Sequence, residues 1–192
     1  MRIVISVFIS LDGVVQAPGE PLEDTGGWSR PYVEPEVVGG ALDGALRKAD
    51  ALLLGRRTWQ AMARRWPRLA GEPFADRMNA IPKYVVSGTL GEADLAWRPT
   101  TLVPAGGAVR RVRDLCASEG GDVLVLGSPT LARTLLAEGL VEELILTRMP
   151  VLVGGGMSLF PTDGVQRPLQ LVSTVTAKTG AEVCVYRTVA ED

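Results

Sequence analysis

The sequence predicts an α/β fold, a three-layer sandwich with a central mixed, mostly parallel sheet and a C-terminal antiparallel hairpin. Short β-branched apolar runs alternate with segments of helical period through most of the chain, which is the signature of parallel strands covered by helices. The last two β-rich runs break that rhythm, because only a Thr179-Gly180 turn separates them. No linker, low-complexity tract or internal repeat interrupts the pattern, so residues 1–192 read as one domain. A domain of 192 residues buries roughly 70% of its unfolded surface, enough for a sizeable core.

The elements follow in order. Ile3 to Ser10 is continuously apolar and β-branched, as a strand buried on both faces requires, and it stops at the turn Asp12-Gly13. From Gly13 to Pro35 the chain has no helical or strand period, and it carries Pro18, Pro21, Gly26, Gly27 and Pro31 together with Trp28 and Tyr32. A loop of this length with two aromatics to bury reads as functional. Val38, Ala41, Leu42, Ala45, Leu46 and Ala49 then mark one apolar helix face, diluted by Gly39, Gly40 and Gly44. Ala51 to Leu54 is a brief strand, and a helix resumes over Thr58 to Arg65. The alternation continues with Lys83 to Ser87, Gly107 to Ala117, Val123 to Leu126, Thr130 to Ala137 and Glu142 to Val153. Leu169 to Ala177 and Glu182 to Val189 form the closing hairpin.

Composition excludes several chemistries. The chain has no histidine, which removes Ser-His-Asp and Cys-His nucleophile systems, His-ligated zinc and any imidazole base. The two cysteines, Cys116 and Cys184, lie far apart without CxxC spacing, so no metal site is expected and a reduced, cytoplasmic protein is the simplest reading. A net charge of -2 gives no global field to recruit nucleic acid or an anionic membrane. No apolar stretch approaches the ~18 residues of a membrane span.

Two segments run from a strand through glycine into a helix start: Leu52-Leu53-Leu54-Gly55-Arg56-Arg57-Thr58-Trp59 and Val123-Leu124-Val125-Leu126-Gly127-Ser128-Pro129-Thr130-Leu131. A helix N-terminus offers unpaired N–H groups and a positive dipole end, so both can bind anions. Ordinary capping by Ser128, with Pro129 as the first helical residue, accounts for the second segment by itself. The first stands open between phosphate binding and a solvated basic turn, since Arg56 and Arg57 oppose the macrodipole. Neither matches GxGxxG or GxxxxGK[ST]. The three glycines after Pro150-Val151-Leu152-Val153 permit positive φ and close backbone approach, or serve only as a connecting loop. Trp28, Tyr32 and Trp59 are either an aromatic wall or core, and Asp12 is a pocket carboxylate or a turn residue.

Taken together, Ser10-Leu11-Asp12-Gly13, Gly26-Gly27-Trp28, the Gly55 and Gly127 segments, Lys83-Tyr84-Val85-Val86-Ser87, Gly139-Leu140-Val141-Glu142-Glu143-Leu144 and residues Pro150 to Gly156 resemble the bacterial dihydrofolate-reductase-like family. This is the group that shares the C-terminal reductase domain of the bifunctional riboflavin-biosynthesis deaminase/reductase. The resemblance runs from about Ile3 to Val189 and implies the dihydrofolate-reductase-like sandwich, NADPH across the strand ends, a small-molecule substrate and a homodimer. By position it implies that Gly55, Arg56, Arg57 and Thr58 hold cofactor phosphate. Val86, Ser87 and Thr89 would line the adenosine side, and Gly127, Ser128, Thr130 and Leu131 would meet the pyrophosphate. Asp12, Trp28 and Tyr32 would face the substrate, with Asp12 or a water as proton donor. Many relatives carry Arg after the Val-Val-Ser strand, where this chain has Gly88, so NADH remains open beside NADPH. Dihydrofolate reductase's acid on the first long helix has no counterpart at Glu36 or Asp43, which argues against folate.

The leading expectation is an NAD(P)H-dependent reductase delivering hydride to a C=O or C=N bond of a small planar substrate. One alternative is a non-catalytic nucleotide-binding or structural homodimer on the same fold. Another is reduction of a ribosylamino-pyrimidine as in riboflavin biosynthesis.

Overall fold

The computed structural model describes residues 1–19 and 27–189. Gly26 and Pro21, of the long glycine- and proline-rich excursion, lie outside the described residues. Among these residues eight strands form a single sheet: β1 (Arg2–Ser10), β2 (Ala49–Gly55), β3 (Lys83–Ser87), β4 (Thr100–Pro104), β5 (Asp122–Leu126), β6 (Glu143–Met149), β7 (Leu169–Thr176) and β8 (Glu182–Thr188). Its helices are α1 (Gly40–Lys48), α2 (Arg56–Arg65), α3 (Pro73–Ala80), α4 (Ala108–Ala117) and α5 (Pro129–Ala137).

The strand order is β4-β3-β2-β5-β1-β6-β8-β7. Pairing is parallel from β4 through β6 and antiparallel at β6-β8 and β8-β7, as the mixed, mostly parallel sheet requires. Alternation along β1 sends Ile3, Ile5, Val7 and Ile9 to one face, where they pack with Val112 of α4 and Ala132 and Leu135 of α5. Val4 goes to the other face, among Leu46 of α1, Trp59 of α2 and Met78 of α3. Both faces are therefore covered, which is why the central strands are apolar without interruption.

From β1 the connections run through α1, α2 and α3 toward β4, and then return through α4 and α5 toward β6. Right-handed crossovers in opposite directions must place their helices on opposite faces, as the two clusters show. The direction reverses around β2, β5 and β1. Ligands of open α/β sheets bind outside the strand C-termini at such a reversal.

Several boundaries differ from expectation. The apolar periodicity from Val38 enters through a π-helical turn, Pro35–Gly39, before α1, and Ala49 already belongs to β2. The run from Glu142 ends as a strand at Met149, because the N–H groups of Val153 and Gly154 turn to the Asp12 carboxylate. Neither α3 nor β4 was anticipated. The eight residues of α3 begin on Pro73, and β4 is an edge strand ending in Pro104, so both carry weak periodicity.

Candidate active site

The two glycine turns are neighbours, because β2 and β5 pair directly, and they brace each other. The Gly55 N–H donates to Ser128 Oγ at 2.9 Å, and the Ser128 N–H donates to Thr58 Oγ1 at 3.2 Å. Ser128 Oγ in turn donates to the Leu126 carbonyl at 3.0 Å, while Gly127 N–H reaches the Ser6 carbonyl at 3.2 Å. Ser128 is not the ordinary N-cap expected of it. Its backbone is left-handed, with φ 54° and ψ 54°, and its hydroxyl bonds across to the other turn rather than to α5. Both Gly127 and Ser128 have positive φ, a curvature that lays their backbone over the end of α2.

A cavity of about 380 Å³ opens beside this brace. Thr58, Gly127 and Ser128 line one end with Arg57. The body is apolar, walled by Phe8 of β1, Leu42 of α1, Met62 of α2 and Phe74 and Met78 of α3, and residues 15–19 form a rim. Among the described residues only Ala17 and Ser128 combine a side chain with positive φ, and both line this cavity. Left-handed backbone costs an L-residue about 1–2 kcal/mol, and such strain concentrates at ligand sites.

The double arginine divides across α2. Arg57 lines the first cavity, whereas Arg56 faces a second, of about 530 Å³, with Gln60, Arg64, Thr89 and Asp94. The Arg57 side chain makes no hydrogen bond or ion pair among the described residues. α2 has no acid in its first turn, so its N-terminus is electropositive. The site residues expected from the sequence thus sort unevenly. Gly55, Thr58, Gly127 and Ser128 are brought together, and Arg57 is added to them. Thr89 lies at the second cavity with Arg56. Ser87 is buried, and its Oγ accepts the N–H groups of Thr89 and Leu90 at 3.0 and 2.9 Å, which shapes that turn. Val86 packs in the core on the α4–α5 side, and Leu131 is buried in the same core. Neither they nor Thr130 line either cavity.

Asp12 lies outside both linings. Its carboxylate accepts hydrogen bonds from Ser10 Oγ at 2.5 Å, Gly154 N at 2.7 Å and Val153 N at 3.1 Å. Those bonds, Ser10's first, pull its pKa down to about 2, so it holds no proton at neutral pH. This arrangement departs from the proton-donor role expected of Asp12 and makes it a clamp on the glycine-rich loop. The same loop is held to residues 14–16 by Val15 N to Met157 O at 2.9 Å and Met157 N to Gln16 Oε1 at 3.1 Å. Trp28 acts on the rim indirectly, since its indole N–H donates to the Gln16 carbonyl at 2.9 Å. Tyr32 packs on the α1–α3 side of the core, its carbonyl accepting from Thr179 Oγ1. Trp59 is core, bonded to Thr100 Oγ1 at 3.1 Å, although one edge reaches the second cavity.

Sequence reasoning missed Phe8, Leu42, Arg65, Trp66, Phe74 and Met78. One signal was present in α2, where Thr58, Ala61, Met62 and Arg65 recur at helical spacing on one side.

Residues 2–185 match the family model of the RibD C-terminal domain. A curated relative, the uncharacterised protein YyaP of Bacillus subtilis strain 168, is 25% identical over 190 residues, covering 96% of this chain and 94% of its own. The crystal structure of a putative riboflavin biosynthesis protein from Shewanella sp. PV-4 superposes with a TM-score of 0.77 at 22% identity, covering 99% of this chain and all of that one. Dihydrofolate reductase from Enterococcus faecalis, solved in complex with NADP(H) and RAB-propyl, has a TM-score of 0.62 at 14% identity, covering 97% of this chain and 96% of its own. At these identities the two structures establish the dihydrofolate-reductase-like fold.

Proposed function

The chain belongs to the RibD C-terminal domain family, and on that premise we propose that it is an NAD(P)H-dependent reductase of a small, planar C=O or C=N substrate. The observation that carries this reading is the junction of two strand-to-helix turns over one cavity, braced by left-handed Ser128 and flanked by Arg57, which has no partner among the described residues. Those features suit a dinucleotide phosphate: free helical N–H groups, a guanidinium and a backbone that approaches closely. Bound there, a reduced nicotinamide would supply hydride to the substrate carbon. The chain's own part is to seat the phosphates at Arg57, Thr58, Gly127 and Ser128 and to exclude water with Phe8, Met62 and Met78. In this reading Arg56 and Thr89 bind the adenosine end, where a 2′-phosphate would select NADPH over NADH. The proton comes from water, because Asp12 is ionised and no carboxylate lines the cavity among the described residues.

That lack of an acid also favours a second reading, a nucleotide-binding protein or structural homodimer without turnover. The likeness to a putative riboflavin biosynthesis protein suggests a third, reduction of a ribosylamino-pyrimidine. Loss of NADPH absorbance near ~340 nm over a panel of carbonyl compounds and the ribosylamino-pyrimidine separates the three. Loss with at least one carbonyl compound supports the reductase, loss only with the pyrimidine supports the riboflavin step, and binding without loss supports the second reading. A homodimer belongs to the same proposal, supported by β7, an edge strand exposed along its whole length. Free Cys116 and Cys184 support a cytoplasmic location.

A further inference from the structure

We infer that Lys83 is a proton-operated latch on the cavity wall. Its buried ammonium holds the C-terminal end of α3 and the ring of Trp97, and loss of its proton loosens Trp66 and Met78 on the cavity side. The inference does not depend on what the cavity binds.

Lys83 opens β3, pairs with Leu52 of β2 and Thr100 of β4, and is 1% exposed. A lysine is almost never fully buried without a carboxylate, and a leucine or methionine would fill the space without desolvating a charge. No acid pairs with this one, because the charged groups of the elements around it are engaged elsewhere or exposed. On α3, Asp76 accepts from Gly71 N–H at 2.8 Å, and Arg77 pairs with Asp43 of α1. On β2, Asp50 accepts from Gly121 N–H at 2.6 Å. Before β4, Asp94 accepts from Gly91 N–H at 2.8 Å, and Glu92 and Arg98 are exposed. Tyr84, the other titratable group of β3, packs on the opposite face of the sheet.

Two of the three Nζ donors go to Asn79 O at 2.9 Å and Ile81 O at 2.7 Å, carbonyls at the C-terminal end of α3, where helical partners run out. The Trp97 ring centre lies 4.5 Å away. The cation thus complements the negative end of the helix dipole and the electron-rich face of the indole together. A neutral amine has two N–H donors and a lone pair. Its bonds to the carbonyls lose their charge assistance, and a lone pair turned to the indole face repels where the cation attracted. Burial pulls the pKa of Lys83 down to about 8, which brings this change within reach of mild conditions. Deprotonation also relieves the desolvated charge, so the fold persists and the loosening is local.

Asn79 carries the effect to the cavity. Its carbonyl accepts from Lys83, its Oδ1 accepts from Trp97 Nε1 at 2.8 Å, and its Nδ2 donates to the Trp66 carbonyl at 3.0 Å. Trp66 and Met78, the residue before Asn79, both line the cavity. The Trp66 ring is tilted against Phe74 at 5.2 Å, and its indole N–H is buried with no partner among the described residues. No hydrogen bond of its own fixes that ring, so its position follows the tie to Asn79.

The test is an NMR titration of the full chain, carbon-labelled at tryptophan and methionine, from about pH 6.5 to 9.5. Ring C–H and methyl signals do not exchange with water and are readable throughout. The signals of Trp97, Trp66 and Met78 are expected to shift together with one midpoint near pH 8, while Trp28 stays still. Lys83→Met and Lys83→Arg are each expected to flatten all three, and Lys83→Arg, which keeps a cation, remains the control if Lys83→Met does not fold. Asn79→Ala retains the backbone carbonyl, so the step persists at Trp97 and disappears at Trp66. Absence of a step at Trp97, a step that does not reach Trp66 and Met78, or one that survives the Lys83 variants overturns the inference. A Trp66 step that survives Asn79→Ala overturns it as well.

Discussion

Ser128 shows how one side chain joins two elements that the chain separates by more than seventy residues. Its hydroxyl accepts from Gly55 N–H and donates to Leu126 O, so Ser128→Ala leaves a backbone N–H without its partner. A loss of about 1–2 kcal/mol in stability by denaturant unfolding is expected, with weaker NADPH binding. Ser128→Gly relieves the φ of 54° but loses the same bonds, so comparing the two variants separates strain from bonding. Lys83 carries a different tension. It is buried at 1% exposure, with Nζ donating to Asn79 O at 2.9 Å and Ile81 O at 2.7 Å and lying 4.5 Å from the Trp97 ring centre. Burial pushes its pKa down to about 8 from 10.5, while the carbonyls and the ring offset part of the cost of the charge. Because the folded pKa is the lower one, the unfolded chain binds more protons between those values and stability rises with pH there. The rise is at most roughly 3 kcal/mol between pH 8 and 10.5, and it is expected to vanish in Lys83→Met when unfolding is followed across that range.

At the scale of elements, the glycine-rich loop after β6 is stitched to residues 11–16, and Gly156 is where they approach most closely. It has φ 130°, and an added Cβ would lie 2.8 Å from Val14 Cγ1. Gly156→Ala is expected to cost about 2 kcal/mol or more in a thermal melt and to weaken ligand binding, since residues 15–19 form the cavity rim. A melt unchanged from the parent would contradict that account of the loop. The three adjacent glycines left positive φ open beside a plain connecting loop, and Gly154 and Gly156 do take it while Gly155 does not. The Gly55 and Gly127 turns were legible for a different local reason, a glycine between an apolar strand run and a helical period, although only Gly127 has positive φ. Their mutual brace was not, because it depends on β2 lying against β5, a long-range pairing that no local pattern encodes. Ser128 illustrates the consequence: Ser-Pro before a helix reads as a cap, and tertiary bonding to Gly55 and Thr58 overrides it. The cavity walls were opaque for another reason. Phe74 and Met78 sit on α3, which begins on Pro73 and spans only two turns, while an apolar residue facing a cavity has the same periodicity as one facing core.

At the scale of the whole molecule, the reversal of strand order opens a crevice beyond the C-termini of the parallel strands β2, β5 and β1, because connections leaving them go to opposite faces of the sheet. The opposite end of the sheet poses a separate question. β7, with the sequence LQLVSTVT, is exposed throughout and has neither charge nor proline, the usual protections of an edge strand. Pairing with a second copy across a two-fold axis would satisfy its open hydrogen bonds. A dimer in sedimentation equilibrium is expected to dissociate when Leu171→Lys and Val175→Lys are introduced together, and a monomeric parent chain would contradict it. A reductase on this scaffold requires the braced turns to hold a dinucleotide. The most direct measurement is titration with NADPH and NADH, following tryptophan quenching and energy transfer to the nicotinamide, in the parent chain and in Arg57→Ala. Micromolar binding that weakens about tenfold or more in Arg57→Ala is the predicted result. Binding of neither cofactor, or binding indifferent to Arg57, would contradict the assignment.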